Sequence, residues 1–397
     1  MKGKSIAVFL LFFLLFFTKT FAQQKYIYSY SEYASIVQNI LDGRLKKYEK
    51  IYPTEFDVFY DLDERTVKMH INLLKPPYMP DEELIQNIED FENKYGNYVT
   101  SRIFYIYLIK ENFYYTPDLF KYYGMLTMDT QTTFKERMGN CFSLTNMFIT
   151  ITRELGFNSY YYLVSDINST YLSESTLIRT VHIVCGIDIN YPRPYIIDFL
   201  PQEDIDYKRL FRLNRVKKLT DIQAAGLFYN NIACKYMMER DYGFAKYLLE
   251  FADSLYPDSG IIKNNLAVIY KKNGQYADSI KTFLEALKYA PSFQFIIANI
   301  LKLESKLPEK DRAEIDNLLE NEFVNNYYWH LLKANEYLSQ KKFKKALKEI
   351  KKADKLSQGN QEVYIFYYRL GVLTRDSKLI EKYSNKINLL ENNNKNK

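Results

Sequence analysis

The chain has 397 residues, enough for two or three domains. Its formal net charge of +6 is small for that length, and acids are interleaved with bases almost throughout, which argues against a nucleic-acid partner. Three cysteines are too few for a disulfide framework, and an odd number leaves at least one thiol unpaired within the chain.

At the N-terminus, Lys2 and Lys4 precede an apolar run of 12 residues, Ile6 to Phe17, and then Thr20-Phe21-Ala22. A basic leader, an apolar core and small residues form the layout of a secretory signal peptide. The run falls well short of the roughly 20 residues a helix needs to span a bilayer. Cleavage is expected to remove residues 1–22 and give an exported chain, periplasmic or secreted, that begins at Gln23. Three lysines and no acid leave with the leader, which lowers the charge to +3. No later segment is apolar for long enough to span a membrane. Residues 23–80 are expected to form a mostly helical N-terminal segment, with a helix over Glu32 to Lys47. A further helix begins over Asp81 to Asn93.

Gly139-Asn140-Cys141-Phe142-Ser143-Leu144 opens the next helix. Leu144, Met147, Phe148, Ile151 and Leu155 recur at helical spacing, which predicts an amphipathic helix closed by Gly156. Cys141 then stands at the helix N-terminus, where free amide groups and the macrodipole favour an anionic sulfur, the nucleophilic form of a thiol. Three strand-like runs follow: Tyr160 to Val164, Thr180 to Ile189 and Tyr195 to Phe199, with a polar loop over Asp166 to Arg179. His182 lies in the second run and Asp198 in the third. A hairpin centred on Asn190 sets them opposite each other on one face, although Pro192 and Pro194 imply an edge or loosened pairing. His182, with an ordinary pKa of about 6.5, is placed to act as a base near neutral pH. A carboxylate between Ile197 and Phe199 is costly unless paired, and His182 is its natural partner. Cys185 points to the opposite face of the second strand and Cys234 lies among small residues, so both are expected to serve packing. His70 and His330 have no partner in the pattern. Three histidines and no cysteine pair at ligand spacing argue against a structural metal. No cofactor-binding motif such as a glycine-rich phosphate loop is present, and no cofactor is expected.

The second half repeats itself. Asn230-Asn231-Ile232-Ala233 recurs as Asn264-Asn265-Leu266-Ala267 at an offset of 34 residues. The same offset pairs Tyr236 with Tyr270, Tyr242 with Tyr276, Ala252 with Ala286 and Pro257 with Pro291. This period and pattern resemble the tetratricopeptide family. A third unit is marked by Tyr337, Phe343, Ala346 and Ala353, a degenerate one lies between Phe293 and Tyr328, and a closing pair covers 361–390. Single units cannot bury their apolar faces alone, so residues 222–390 are expected to stack as an all-α solenoid that takes a protein partner. Eight lysines between Lys341 and Lys355 are read as a solvated helix face. The Asn- and Lys-rich tail, 391–397, is expected to be disordered.

A helix that begins with Cys, followed by strands that carry His and Asp in that chain order, resembles the transglutaminase-like superfamily. The residues that carry the resemblance are Gly139-Asn140-Cys141, Val181-His182 and Ile197-Asp198-Phe199. It implies a papain-like α+β domain over 81–215, with a Cys-bearing helix packed on a small antiparallel sheet. It also implies a triad of Cys141 as nucleophile, His182 as general base and Asp198 as orienter. The expected activity is acyl transfer from a protein or peptide amide, to water or to an amine. The alternative is a catalytically silent member that serves as a binding scaffold.

Overall fold

The computed structural model describes residues 30–51, 73–115, 119–164, 170–173, 176–189, 193–200, 205–212, 215–289, 296–297, 299–300, 303, 325, 327–357 and 360–395. The leader and its cleavage site, His70 and most of the degenerate repeat unit lie outside them. The chain divides into two compact units, Met1–Ala290 and Pro291–Lys397.

In the first unit, α1 (Tyr30–Ile51) buries Tyr33, Ala34, Val37 and Leu41, a stripe at helical spacing. Helix α2 (Glu82–Tyr95) is capped by Asp81, which accepts from the Leu84 amide, and buries Leu84, Ile88 and Phe91. Helix α3 (Arg102–Lys110) runs into a π-helical turn, Glu111–Tyr115, that turns Phe113 and Tyr114 inward. Strand β1 (Lys121–Tyr122) pairs in parallel with β2 (Met138–Gly139), and α4 (Thr130–Glu136) lies between them in sequence.

Helix α5 (Cys141–Glu154) is the centre of this unit. The expectation of an amphipathic helix fails here, because every residue from Cys141 to Arg153 is buried. Its polar side chains do not mark a wet face. Thr150 donates to the Tyr78 carbonyl at 2.6 Å, Thr145 to the Ile183 carbonyl at 3.1 Å, and Arg153 forms a two-pronged pair with Asp221. Helix α5 ends as the sequence implies, with Gly156 in the left-handed region at φ 79°.

The sheet consists of β3 (Ser159–Val164), β6 (His182–Ile187), β7 (Tyr195–Ile197) and β8 (Val216–Lys218) in the order β7-β6-β3-β8, with every pairing antiparallel. Helix α5 packs on β3 and β6. Strand β7 is a short edge strand, which suits its neighbouring prolines. The expected polar loop over 166–179 is instead partly a hairpin, β4 (Thr170–Ser173) with β5 (Thr176–Arg179), whose Thr, Tyr, Leu and Ile residues favour strands. Between β7 and β8 lies the short helix α6 (Tyr207–Arg212).

Four helices complete the unit: α7 (Asp221–Met238), α8 (Tyr242–Leu255), α9 (Gly260–Lys272) and α10 (Tyr276–Tyr289). They form two antiparallel pairs at the 34-residue period, and Ala233, Ala245, Ala252, Ala267 and Ala286 are fully buried where helices approach. A boundary near residue 215 is not where this unit ends. Helix α7 packs into the same core, with Phe228 edge-on to Phe142 at 5.7 Å. The second unit holds α11 (Tyr327–Ser339), α12 (Phe343–Ser357), α13 (Gln361–Thr374) and α14 (Ser377–Lys395) around Leu331, Ile350, Ala353 and Tyr367. The tail expected to be disordered from Glu391 stays helical to Lys395, because propagating an existing helix needs no new nucleus. His330 also has a partner that the pattern did not reveal: its Nδ1 lies 2.6 Å from Glu349, which Lys352 holds from the other side at 2.9 Å. The lysines of α12 are exposed, as a solvated face requires.

Candidate active site

Cys141 is the first residue of α5. Asn140 caps the helix, and its side-chain oxygen accepts from the amides of Phe142 and Ser143, both at 3.1 Å. The Asn140 side chain is held in turn by donating to the Thr127 hydroxyl at 2.6 Å. Gly139 allows the chain to pass close to α5, since a Cβ there would stand 2.5 Å from the Ser143 Cβ. The cap uses the second and third amides, so the Cys141 N–H is left to point into the site. The Tyr122 hydroxyl stands beside the Cys141 amide and thiol. Burial and then the charge of Cys141 push the Tyr122 phenol well above its ordinary pKa, which keeps it a proton donor at neutral pH.

His182 opens β6 and is buried. Its Nε2 lies 3.0 Å and 3.1 Å from the two Asp198 oxygens, and Cys141 is close enough to the ring to act on its charge. The three residues singled out in the sequence are thus brought to one place, with His182 hydrogen-bonded to Asp198 and Cys141 beside the ring. The register that does this differs slightly from expectation. Strands β6 and β7 pair Cys185 with Ile197 and Ile187 with Tyr195, which centres the hairpin on residue 191 rather than 190. Moving the centre by one residue shifts each partner by two, so parity and face are preserved. Asp198 therefore meets His182 on the diagonal, one residue past the end of β7.

Asp198 is held by more than His182. Tyr207 on α6 donates a hydrogen bond to it, and the Leu200 amide donates at 2.9 Å. Phe199 stacks on Tyr114 at 4.7 Å and packs edge-on to Phe148 at 5.5 Å, which anchors the backbone beside the carboxylate. Burial raises the Asp198 pKa, but the hydrogen bond and charge of His182, together with Tyr207, outweigh it and hold the carboxyl below the usual range. For His182, burial acts to lower the pKa. The hydrogen bond to Asp198 and then the neighbouring Cys141 overcome it and carry the imidazole up to about 9. The ring therefore holds its proton more tightly than an ordinary histidine does. The other two cysteines are also free thiols and buried, and burial pushes Cys185 up to about 12, far from a reactive thiolate.

Sequence reasoning missed Tyr122 and Tyr207. Neither stands at a motif spacing from Cys141 or Asp198; β1 and α6 bring them in through the tertiary fold. Among the described residues, no cluster of His, Cys, Asp and Glu could hold a metal ion, and no helix is long and apolar enough to cross a membrane.

The raised His182 pKa has a measurable consequence. A group whose folded pKa lies above its unfolded value of 6.5 adds stability below that pH and loses it as pH rises through the folded pKa. Unfolding free energy is expected to fall by about 2–3 kcal/mol between about pH 6.5 and about pH 9. Urea unfolding of wild type and His182→Gln across this window checks it: the variant should show a flatter profile, and parallel profiles would contradict the ion pair.

Residues 262–293 match the tetratricopeptide repeat family model. That match covers α9 from its third residue and all of α10, the second of the two repeat pairs. No curated protein matches the chain. Among solved structures, a double mutant of MamA RS-1 is 15% identical, covering 43% of this chain and 97% of that one at a TM-score of 0.28. PilF from Pseudomonas aeruginosa is 14% identical, covering 43% and 81% at 0.27. YrrB, described as a tetratricopeptide protein with an unusual peptide-binding site, is 14% identical, covering 41% and 84% at 0.23. These scores are too low to carry a fold argument.

Proposed function

We propose that the chain is a thiol-dependent acyl-transfer enzyme of transglutaminase-like type, acting after export, with tetratricopeptide units that engage a protein partner. The observation that carries the reading is the meeting of Cys141, at a helix N-terminus, with the buried His182–Asp198 pair. In the first half-reaction the Cys141 thiolate attacks an amide carbonyl, and the His182 imidazolium gives its proton to the departing amine as the C–N bond breaks. The acyl group is left as a thioester on Cys141. The now neutral His182 then takes a proton from water or from an incoming amine, whose oxygen or nitrogen attacks the thioester. Sulfur leaves as thiolate, and a carboxylic acid or a new amide is released. Asp198 keeps the imidazolium in place throughout, and Tyr207 and Leu200 keep Asp198 in place. The Cys141 N–H and the neighbouring Tyr122 hydroxyl would supply the two donors to the carbonyl oxygen.

The test is alkylation. Iodoacetamide at neutral pH and low excess is expected to modify Cys141 ahead of Cys185 and Cys234 and faster than free cysteine, as peptide mass mapping would show. A second reading, a silent thiol fold that supports a repeat scaffold, is favoured by the burial of Cys141 and the phenol held against it. It predicts a Cys141 no more reactive than free cysteine.

A further inference from the structure

The duplicated Asn-Asn pair of the repeat is more than a packing signature. Asn230, Asn231, Asn264 and Asn265 are all buried on α7 and α9. Their side chains form a directed ladder. Asn264 donates to the oxygen of Asn265 at 3.0 Å, Asn265 to the oxygen of Asn230 at 2.8 Å, and Asn230 to the oxygen of Asn231 at 3.4 Å. The Asn231 oxygen also accepts, at 3.2 Å, from the backbone N–H of Val181, the residue before His182. Strand β5, which leads into Val181, packs beside α9. The Asn-Asn face of these two units is therefore closed off by the chain's own strand, and a partner cannot reach its asparagines as it might in an open repeat groove.

Resting on the thiol-site reading above, we infer that Asn231 is a positioning residue for His182, and that the asparagine ladder makes the first two repeat units a working part of the thiol site. Backbone amides flanking a strand normally find ladder partners, but Val181 lies just before the paired residues of β6. Its amide is secured from the repeat side, and the direction in which His182 leaves the backbone is secured with it. Each rung orients the next, because an amide that donates through nitrogen presents its oxygen in a fixed direction. The helical repeats thereby set the distance between the imidazolium and the Cys141 sulfur. From the other side, Thr145 of α5 holds the Ile183 carbonyl, so the residues on both sides of His182 are tethered by side chains.

The experiment follows the rate of Cys141 alkylation by iodoacetamide against pH in the full chain, for wild type, Asn231→Leu and Asn231→Asp. Leucine removes the acceptor at similar volume and aspartate keeps it. The leucine variant is expected to label Cys141 about tenfold or more slowly at pH 7 with a displaced pH profile, since small misplacements of a catalytic partner are expensive. The aspartate variant should keep the wild-type profile. A fast wild type with an equally fast, undisplaced leucine variant overturns the inference and leaves the thiol site intact, as does an aspartate variant as slow as the leucine one. A wild-type Cys141 no faster than free cysteine removes the thiol-site reading instead. Lower stability in both variants without a displaced profile means a purely structural ladder and also overturns the inference. Should Asn231→Leu not fold, hydrogen exchange on the wild type decides: the Val181 amide should be strongly protected, and exchange at the rate of an exposed amide overturns the tether.

Discussion

Cys141→Ala is expected to abolish the burst of p-nitrophenol from p-nitrophenyl acetate and all incorporation of a fluorescent amine into casein. The loss should be on the order of 10⁴-fold or more in acyl transfer. Three groups that act on one bond are not additive, so the triple substitution Cys141→Ala, His182→Ala, Asp198→Ala should be no worse than Cys141→Ala alone. Asp198→Asn should cost less, about 10²-fold, because the imidazole remains beside sulfur but loses the charge that keeps it protonated and oriented. Tyr207 and the Leu200 amide would still hold the new side chain near its place. Burst kinetics and amine incorporation on the four proteins check this. Residual transfer in Cys141→Ala at more than a few per cent of wild type would exclude Cys141 as the nucleophile.

The largest expected stability effect lies away from the sulfur. Arg153 at the end of α5 and Asp221 at the start of α7 are both buried, and they meet through two hydrogen bonds of 2.9 Å. Arg153 also donates to the Ser159 carbonyl at 2.9 Å, and Asp221 stands in the first turn of α7, where the helix dipole favours a negative charge. Asp221→Ala strands a buried guanidinium and is expected to cost about 3–5 kcal/mol. Replacing both partners, Arg153→Met with Asp221→Leu, should cost much less than Asp221→Ala alone, because no charge is left without its counter-charge. Urea unfolding of wild type, the single variant and the double variant checks this. A single-variant loss below about 1 kcal/mol would place the pair in a far wetter setting than its burial implies. The same contact explains why the thiol region and the first repeat helices form one unit: truncating the chain before α7 removes the partner of a buried charge as well as Phe228 from the core.

Several parts of this protein are legible in local sequence. The 34-residue recurrence locates α7 to α10, because a repeat must place the same small residues wherever two helices cross. Asn140 ahead of Cys141 identifies the start of α5, because capping is a local rule. The parity of residues 182 and 198 puts His182 and Asp198 on one face, because side chains alternate along a strand however the hairpin is centred. The helix start, strand parity and chain order single out Cys141, His182 and Asp198, and the fold sets them side by side.

What the tertiary structure decided depends on residues far apart in the chain. The burial of α5 on all sides is hidden in its sequence, since Thr145, Thr150 and Arg153 look like a solvent face until the Ile183 carbonyl, the Tyr78 carbonyl and Asp221 meet them across the fold. Tyr122 and Tyr207 reach the site from β1 and α6, at no spacing that a motif would reveal. The His182 pKa is a balance of burial against its neighbours Asp198 and Cys141, so residue type by itself does not give the direction of its shift. The asparagine pairs announce a repeat in the sequence, but only the tertiary fold brings the Asn231 oxygen to the Val181 amide. Periodicity reports which face of an element is apolar; which partner that face meets, and what the meeting does to a proton, is settled by long-range packing.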